Sequence, residues 1–440
     1  MRPVVVAVVI AGMCACGGHA EPQAGSAAPA APATTSTPPI DAAVAVAPPA
    51  DAAPAAPPAA ARPGYDFIAD IDALYRVVAC GHLDQPLPAL ITHGDADRTA
   101  KLQRIVDAHC KALAEPMAKY RDDYFKTARA WFVAHEPADL PKTVVYGFGG
   151  GDLLSALVAF PDATQITTVS LELAGDPRKI ETIEPAALER DLAAFRKDLG
   201  LLMTVGSNLS TNLSEAQRNA IAAQLSSHLL GMATGNFEPV SARYFAIDDT
   251  GALHYFEKDE IDADTKSGRS LSGSWSTPAF AQSFQNVEVE YRAVGAPGTA
   301  PRVFRHIAWN LGDDYLKRHP GALRHLESEG KVAICVKGAS YLLWNEDFAL
   351  FRTYMIDHLA WMVTDSTGLA PNYAPATLDQ KAYGRFKGAP RGYGFERLDG
   401  SKSDVAMQKL WSTPTDKMPF RFGYTDRDGA SGVILTTPKP

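Results

Sequence analysis

The stretch that most constrains this chain is residues 143–204, where β-rich and helical patterns alternate around a cluster of glycines. Thr143 to Phe148 is a short β-rich run, and Gly147, Gly149, Gly150 and Gly151 crowd the turn after it. Asp152 opens a short helix, Leu153 to Phe160, which Pro161 ends. Ile166 to Leu173 is a second β-rich run. Glu184 to Thr204 is a long helix with Leu188, Leu192, Phe195, Leu199 and Leu202 on one face. Strand, glycine turn, helix, strand, helix is the order of a parallel sheet with right-handed crossovers.

The patterns on either side complete the expected organisation. Before the alternation, helical spacing marks Phe67 to Cys80, then Leu102 to Leu113, then Met117 to His135, which predicts a helical layer. After it, Ser214 with Gln217 reads as a capping box for a helix running to about Gly231. Ala242–Asp248 and Ala252–Glu257 flank Asp249-Thr250-Gly251, a hairpin signal. Val287–Val294 and Val303–Leu311 are further strands, so residues 240–311 read as a β-rich insertion. Strand and helix then alternate again through Lys331–Lys337, Asp347–His358 and Leu359–Thr364. Residues 371–440 show little periodicity and read as an irregular tail. The predicted fold is α/β: one large domain over 63–440, with a Rossmann-like, mainly parallel sheet.

The first residues are of another kind. Arg2 precedes an apolar run, Pro3 to Met13, of about ten residues, half the roughly 20 that a membrane-spanning helix needs. Met13-Cys14-Ala15-Cys16 follows and resembles a lipobox, which implies cleavage after residue 15 and lipidation of Cys16. Two-signal anchoring of that kind holds a protein to a lipid membrane stably. Ordinary secretion with cleavage near Ala20 is the alternative. Gly17 and Gly18 follow Cys16 with no retention aspartate between, so the outer membrane is expected. Residues 16–62 are rich in alanine and proline and cannot bury enough surface to fold, so they read as a disordered tether that reaches on the order of 100 Å.

Composition narrows the partners. The net charge of −8 argues against nucleic acid, which needs basic patches. Beyond the export signal the cysteines are Cys80, Cys110 and Cys335. Cys80 and Cys110 each close a helical pattern, which leaves a disulfide and two free thiols both open. In a simple antiparallel hairpin those two ends would lie beyond bridging distance. Cys335 sits in an apolar strand and reads as buried and inert.

In open α/β sheets, ligands bind beyond the C-terminal ends of the strands. There the sequence places Tyr146, Gly149, Gly151 and Asp152 after the first strand and Glu172 after the second. Asn310 follows a later one, then Lys337, Ser340 and Tyr341, and finally Asp365, Ser366 and Thr367. Glycines admit a ligand close to the backbone, and a helix start offers free N–H groups to an anion. An acid at the end of a second strand can accept from ribose hydroxyls. Residues 143–173 resemble the cofactor half of class I S-adenosylmethionine-dependent methyltransferases. That resemblance implies a turn at Gly147, Gly149 and Gly151 and a ribose contact at Glu172, although Val145 and Tyr146 stand where that family has an acid. Tyr146 to Asp152, Phe160-Pro161-Asp162-Ala163, Leu171-Glu172, Lys337 to Leu342 and Asp365 to Gly368 resemble a group of exported bacterial proteins of unassigned activity.

Plainer readings stand beside these. Asp152 is equally a helix N-cap, Glu172 a solvated strand end, Lys337 a surface charge, Tyr341 a packing residue and Asp365 a turn cap. No G-x-S-x-G elbow, H-E-x-x-H helix or zinc-spaced cysteine pair occurs. Asp262-Ala263-Asp264 and Asp426-Arg427-Asp428-Gly429 lack the closing acid of a calcium loop and read as turns. No cofactor and no metal are expected. The expected role is a membrane-anchored, non-catalytic or small-ligand-binding domain of the cell envelope. A methyltransferase-like enzyme and an interaction module for an envelope protein are the alternatives.

Overall fold

The computed structural model describes residues 64–205, 221–267, 282–387, 402–413, 415–425 and 429–440. Cys16, the export signal, the tether to Arg62, the Ser214–Gln217 capping box and Asp426-Arg427-Asp428 lie outside them. The described strands are β1 Thr143–Gly147, β2 Gln165–Ser170, β3 Phe237–Ile247, β4 Leu253–Tyr255 and β5 Asn286–Ala293. They continue as β6 Arg302–Ala308, β7 Val332–Val336, β8 Leu359–Asp365, β9 Leu378–Gly384 and β10 Gly432–Pro438. All ten join one sheet in the order β4-β3-β5-β6-β2-β1-β7-β8-β10-β9.

The fold is α/β, but its sheet is mixed rather than mainly parallel. Strands β6-β2-β1-β7-β8 run parallel, through four pairings. The other five pairings are antiparallel. The reason lies in the two regions taken as additions to the sheet. Short connections such as Asp249-Thr250-Gly251 only make antiparallel neighbours, so β3, β4 and β5 extend the same sheet from the free edge of β6. Strand β6, expected within the insertion, is one of the parallel strands, paired with β2. The tail is not irregular: it supplies β9, a helix at Lys402–Ser412 and β10, which slots between β8 and β9. The β9 sequence, Leu-Asp-Gln-Lys-Ala-Tyr-Gly, is largely polar because the strand lies at the sheet edge.

Both faces of the sheet are covered, which is why β7 is buried at every position. The alternation of side chains assigns Val144 and Tyr146 to one face and Val145 to the other. The first face packs against α1 (Ile68–Val77), α2 (Ala96–Lys119), α3 (Lys126–His135), α4 (Leu153–Ala159), α5 (Pro185–Val205) and α6 (Ala223–Thr234), through Leu74, Phe132, Leu157, Leu192 and Leu229. The helix α7 (Lys258–Ser267) carries Asp262 and Asp264, so that run is not the turn expected. Asp262 pairs with Lys258 at 2.8 Å, and Asp264 accepts from Ser283 N. The second face packs against α8 (Asp313–Arg318), α9 (Gly321–Ser328) and α10 (Ala349–His358) through Leu326, Phe351 and Met355.

The two later helices expected in the N-terminal layer are one rod. A π-helical segment at Tyr120–Phe125 joins α2 to α3. Pro116 lies inside α2, lacks an N–H and crowds the preceding turn; the widened segment follows within one turn. Cys110 therefore sits along α2, which continues to Lys119, rather than at a helix end. Cys80 turns back beyond α1 with φ 57°, and the two cysteines form a disulfide with Cα atoms 5.6 Å apart. Closing a loop of this size, with a sequence separation of 30, stabilises a fold by about 3.5 kcal/mol.

Asp70 of α1 is buried beside Glu181. Burial first, then the hydrogen bond and charge of Glu181, push its carboxyl up to about 7, against the lowering pull of a backbone hydrogen bond. A carboxyl raised above its unfolded value binds a proton more tightly in the folded state. Its stabilising contribution is therefore complete below about pH 4 and is lost as pH rises toward 7. Wild-type stability should fall by up to roughly 1 kcal/mol per pH unit across that window through this group. In Asp70→Asn that part of the slope should vanish, as read from urea midpoints at successive pH values.

Candidate functional site

The ends of β1, β7 and β8 bring most of the expected residues together. Asp152 caps α4, accepting from Ser155 N at 3.2 Å. Its other oxygen accepts from Tyr146 Oη at 3.0 Å and from Lys337 Nζ at 2.8 Å. Lys337 Nζ also donates to Ser155 Oγ at 2.6 Å and lies 5.5 Å from the centre of the Phe422 ring. Asp152 is 7 % exposed and Lys337 8 %, so this is a buried ion pair and not a surface charge. Burial, then the negative charge of Asp152, push the Tyr146 phenol well above its ordinary value. The charge of Asp152 also reaches Tyr120 and Tyr124 on the π-helical segment, whose phenols burial raises first.

A second knot lies one strand over. Asp365 is fully buried and accepts from Gly338 N at 2.7 Å, from Thr367 N at 2.9 Å and Oγ1 at 2.8 Å, from Tyr424 N at 3.4 Å, and from the Ser340 hydroxyl. Ser366 Oγ donates to Tyr424 O at 2.9 Å. Tyr341 rests 6.0 Å from the Tyr424 ring. The tail loop thus closes over both knots. Gly423 lies in it with φ 66°, where a Cβ would stand 2.3 Å from an oxygen of Asp365.

The glycine turn is closed from the other side. His228 of α6 lies against it and donates from Nε2 to Gly150 O at 2.9 Å. A Cβ on Gly151 would stand 2.9 Å from Ser227 Cβ, and one on Gly147 would stand 2.6 Å from the Phe351 ring. Gly149 is pressed on Tyr146 in the same way. Phe148, in the left-handed region at φ 57°, packs its ring 5.5 Å from Phe348 and 5.6 Å from Phe351. Gly147, Gly149 and Gly151 are thus met by protein atoms at the Cβ position, and Gly150 at its carbonyl.

Glu172 and Asn310 stand apart from the two knots. Glu172 is buried rather than solvated, and its carbonyl accepts from His306 Nε2 at 2.7 Å. That contact fixes the tautomer, so His306 Nδ1 accepts from Thr168 Oγ1 at 2.9 Å. Burial holds His306 below its ordinary value and the neighbouring His228 well below it. The two rings lie 5.1 Å apart as neutral imidazoles. Asn310 is exposed and caps its own turn through Gly312 N at 2.8 Å. Ser155, Ser227, His228 and His306 were not legible as site residues. His306 sits inside a strand and His228 inside a helix, where neither stands out by spacing.

Two further groups bear on chemistry. Cys335 is fully buried with no disulfide partner, and burial pushes its thiol well above the ordinary value, which leaves it inert. Among the described residues one cluster has metal-ligand residue types: Cys80, His109 and Cys110. Its two sulfurs are bonded to each other. His109 uses both ring nitrogens, on Val78 O at 3.0 Å and Arg196 Nη1 at 2.8 Å. Burial lowers its pKa to about 4. These groups make a structural knot.

No family model, no curated protein and no solved structure matches the chain.

The ion pair gives a direct test. Lys337→Met leaves a buried carboxylate unpaired and should cost about 3–5 kcal/mol in urea unfolding. Asp152→Asn/Lys337→Met removes both charges and should recover most of that loss. A single-variant effect within ~0.5 kcal/mol would mean that the pair is not a brace.

Proposed function

We propose that this chain is a lipid-anchored protein of the cell envelope, outer membrane by expectation, whose Rossmann-like domain is non-catalytic at its strand ends. The fold part of this reading rests on the order of the parallel strands. Numbered by appearance among themselves, β6-β2-β1-β7-β8 read 3-2-1-4-5, the order of doubly wound sheets. The point where such an order reverses lies between β1 and β7, where the glycine turn and Lys337 stand. The observation that carries the functional part is that the chain's own groups fill this place. Lys337, Tyr146 and Ser155 engage Asp152, five donors engage Asp365, α6 lies over the turn and the tail loop lies over Asp365 and Lys337.

The methyltransferase-like reading asks the glycines to admit a cofactor to the backbone. Here the same glycines admit Ser227, Phe351 and Tyr146. An active centre also wants polar groups free to engage a substrate, and Asp152, Lys337 and Asp365 are committed to internal partners. The anchoring part rests on Met13-Cys14-Ala15-Cys16 and the alanine- and proline-rich run after it.

Residues 59–440 group by contacts into one unit that carries all of the described core, and this unit serves for solution tests. In a thermal-shift panel, S-adenosylmethionine, NAD and ATP should leave its Tm unchanged. Gly151→Ala should lower Tm with or without them, because the added Cβ meets Ser227. A rise with S-adenosylmethionine that Gly151→Ala abolishes would favour the enzyme instead. In cells, Cys16→Ser should move the full chain from the membrane to the soluble fraction; retention on the membrane would rule out a Cys16 anchor.

A further inference from the structure

The strand-end groups hold one another, but among the described residues the β9 edge of the sheet presents a cavity. A pocket of about 680 Å³ lies where the end of β9 meets the end of the tail helix, α11 (Lys402–Ser412), and the loop leading to β10. None of the strand-end candidates lines it. Its volume is within the usual range for small-molecule sites, roughly 300–1,000 Å³.

The lining is one-sided in charge. Arg385, Lys417 and Arg421 all face it, and no aspartate or glutamate does among the described residues. That is unusual in a chain of net charge −8. Among the described residues the acid within the loop, Asp416, is paired with Lys381 at 3.5 Å and is not part of the lining. Lys417 and Arg421 have no ion-pair partner among the described residues, and both are exposed. Gly429, with φ 74°, lies beside the Arg421 guanidinium, where a Cβ would stand in ordinary contact 3.5 Å from Nη2.

The remaining wall suits a sugar. Trp411 lines the pocket half-buried and held in place: its Nε1 donates to Ser366 O at 3.1 Å, and its ring lies over Gly432, where a Cβ would stand 2.2 Å from Cη2. Ser412, Thr413 and Thr415 line the same wall, with the Ser412 hydroxyl donating to Lys409 O at 2.8 Å. The Thr415 hydroxyl is anchored on Gly384 O, which fixes the loop against β9. A guanidinium offers paired N–H groups to the oxygens of a phosphate, an ammonium adds a point charge, and an aromatic ring offers a flat apolar face.

We infer that this edge pocket binds a phosphorylated sugar, with Arg421, Lys417 and Arg385 on the phosphate and Trp411 beside the ring. The inference is independent of the anchor and of the strand-end brace, because it uses no residue of either.

The test is calorimetric titration of the 59–440 unit with glucose 6-phosphate, inorganic phosphate and glucose. Glucose 6-phosphate should bind more tightly than inorganic phosphate, and glucose alone should give no heat. Arg421→Gln should weaken both phosphates about tenfold or more, the loss expected for a charge-assisted contact. Trp411→Phe should weaken glucose 6-phosphate and leave inorganic phosphate unchanged. Lys417 and Arg421 are exposed, so their variants should keep the wild-type Tm, which separates lost binding from lost fold. No heat from either phosphate at millimolar concentration would overturn the proposal. So would unchanged affinity in Arg421→Gln/Lys417→Gln.

Discussion

An ammonium group taken out of water must be met by a carboxylate, and the remaining hydrogen-bonding capacity of both must be used. Lys337 creates that demand at the end of β7, a strand buried at every position. Asp152 meets it, and because Asp152 also caps α4, the pair fixes where the helix after β1 begins relative to β7. Tyr146 and Ser155 occupy what is left of the two groups. One contact thus ties together the strand, the turn and the helix that define the middle of the sheet. The tail loop, whose Phe422 ring lies near Lys337, keeps water from it.

The glycine turn follows the same logic. A turn that brings Asp152 under Lys337 must bend sharply, and Phe148 and Gly150 both take positive φ to do so. The backbone that bends also has to be covered. Helix α6 approaches closely because Gly151 has no side chain, and His228 then satisfies the carbonyl of Gly150. That bond needs a proton on His228 Nε2, and complete burial keeps the ring neutral against the raising pull of the same bond. A glycine-rich turn after a first strand therefore has two physical uses: approach by a ligand or approach by a helix. The residue facing each glycine, and not the glycine count, separates them.

Much of this was legible in the sequence, and the limits have physical causes. The parallel centre was readable because strands buried on both faces give unbroken apolar runs, as in Val332 to Val336. The strand-end positions of Asp152, Lys337, Ser340 and Asp365 followed from the same runs. The charge pairing of Asp152 with Lys337 did not, because 185 residues separate them and single-sequence patterns carry no pairing information. Strand β9 was missed because an edge strand has polar residues where a central one has apolar residues. The disulfide was left open on the premise that Cys110 ended a helix. Instead Cys110 lies along a rod that runs on past Pro116 through the π-helical segment.

That edge strand also explains where binding capacity is left in this fold. In open α/β sheets the usual place for a ligand is the strand-end crevice, and here the groups in that place hold one another. Polar groups committed to internal partners cannot also engage a ligand without leaving a buried charge unpaired. At the edge built by β9, β10 and the loop between α11 and β10 the basic side chains are exposed, and among the described residues the loop's acid, Asp416, is occupied by Lys381. Loops on a rigid scaffold can change their side chains without disturbing the core. A chain that closes its central crevice to gain stability keeps its chemical freedom at the margin of the sheet, and in this chain that margin is lined by Arg385, Lys417 and Arg421.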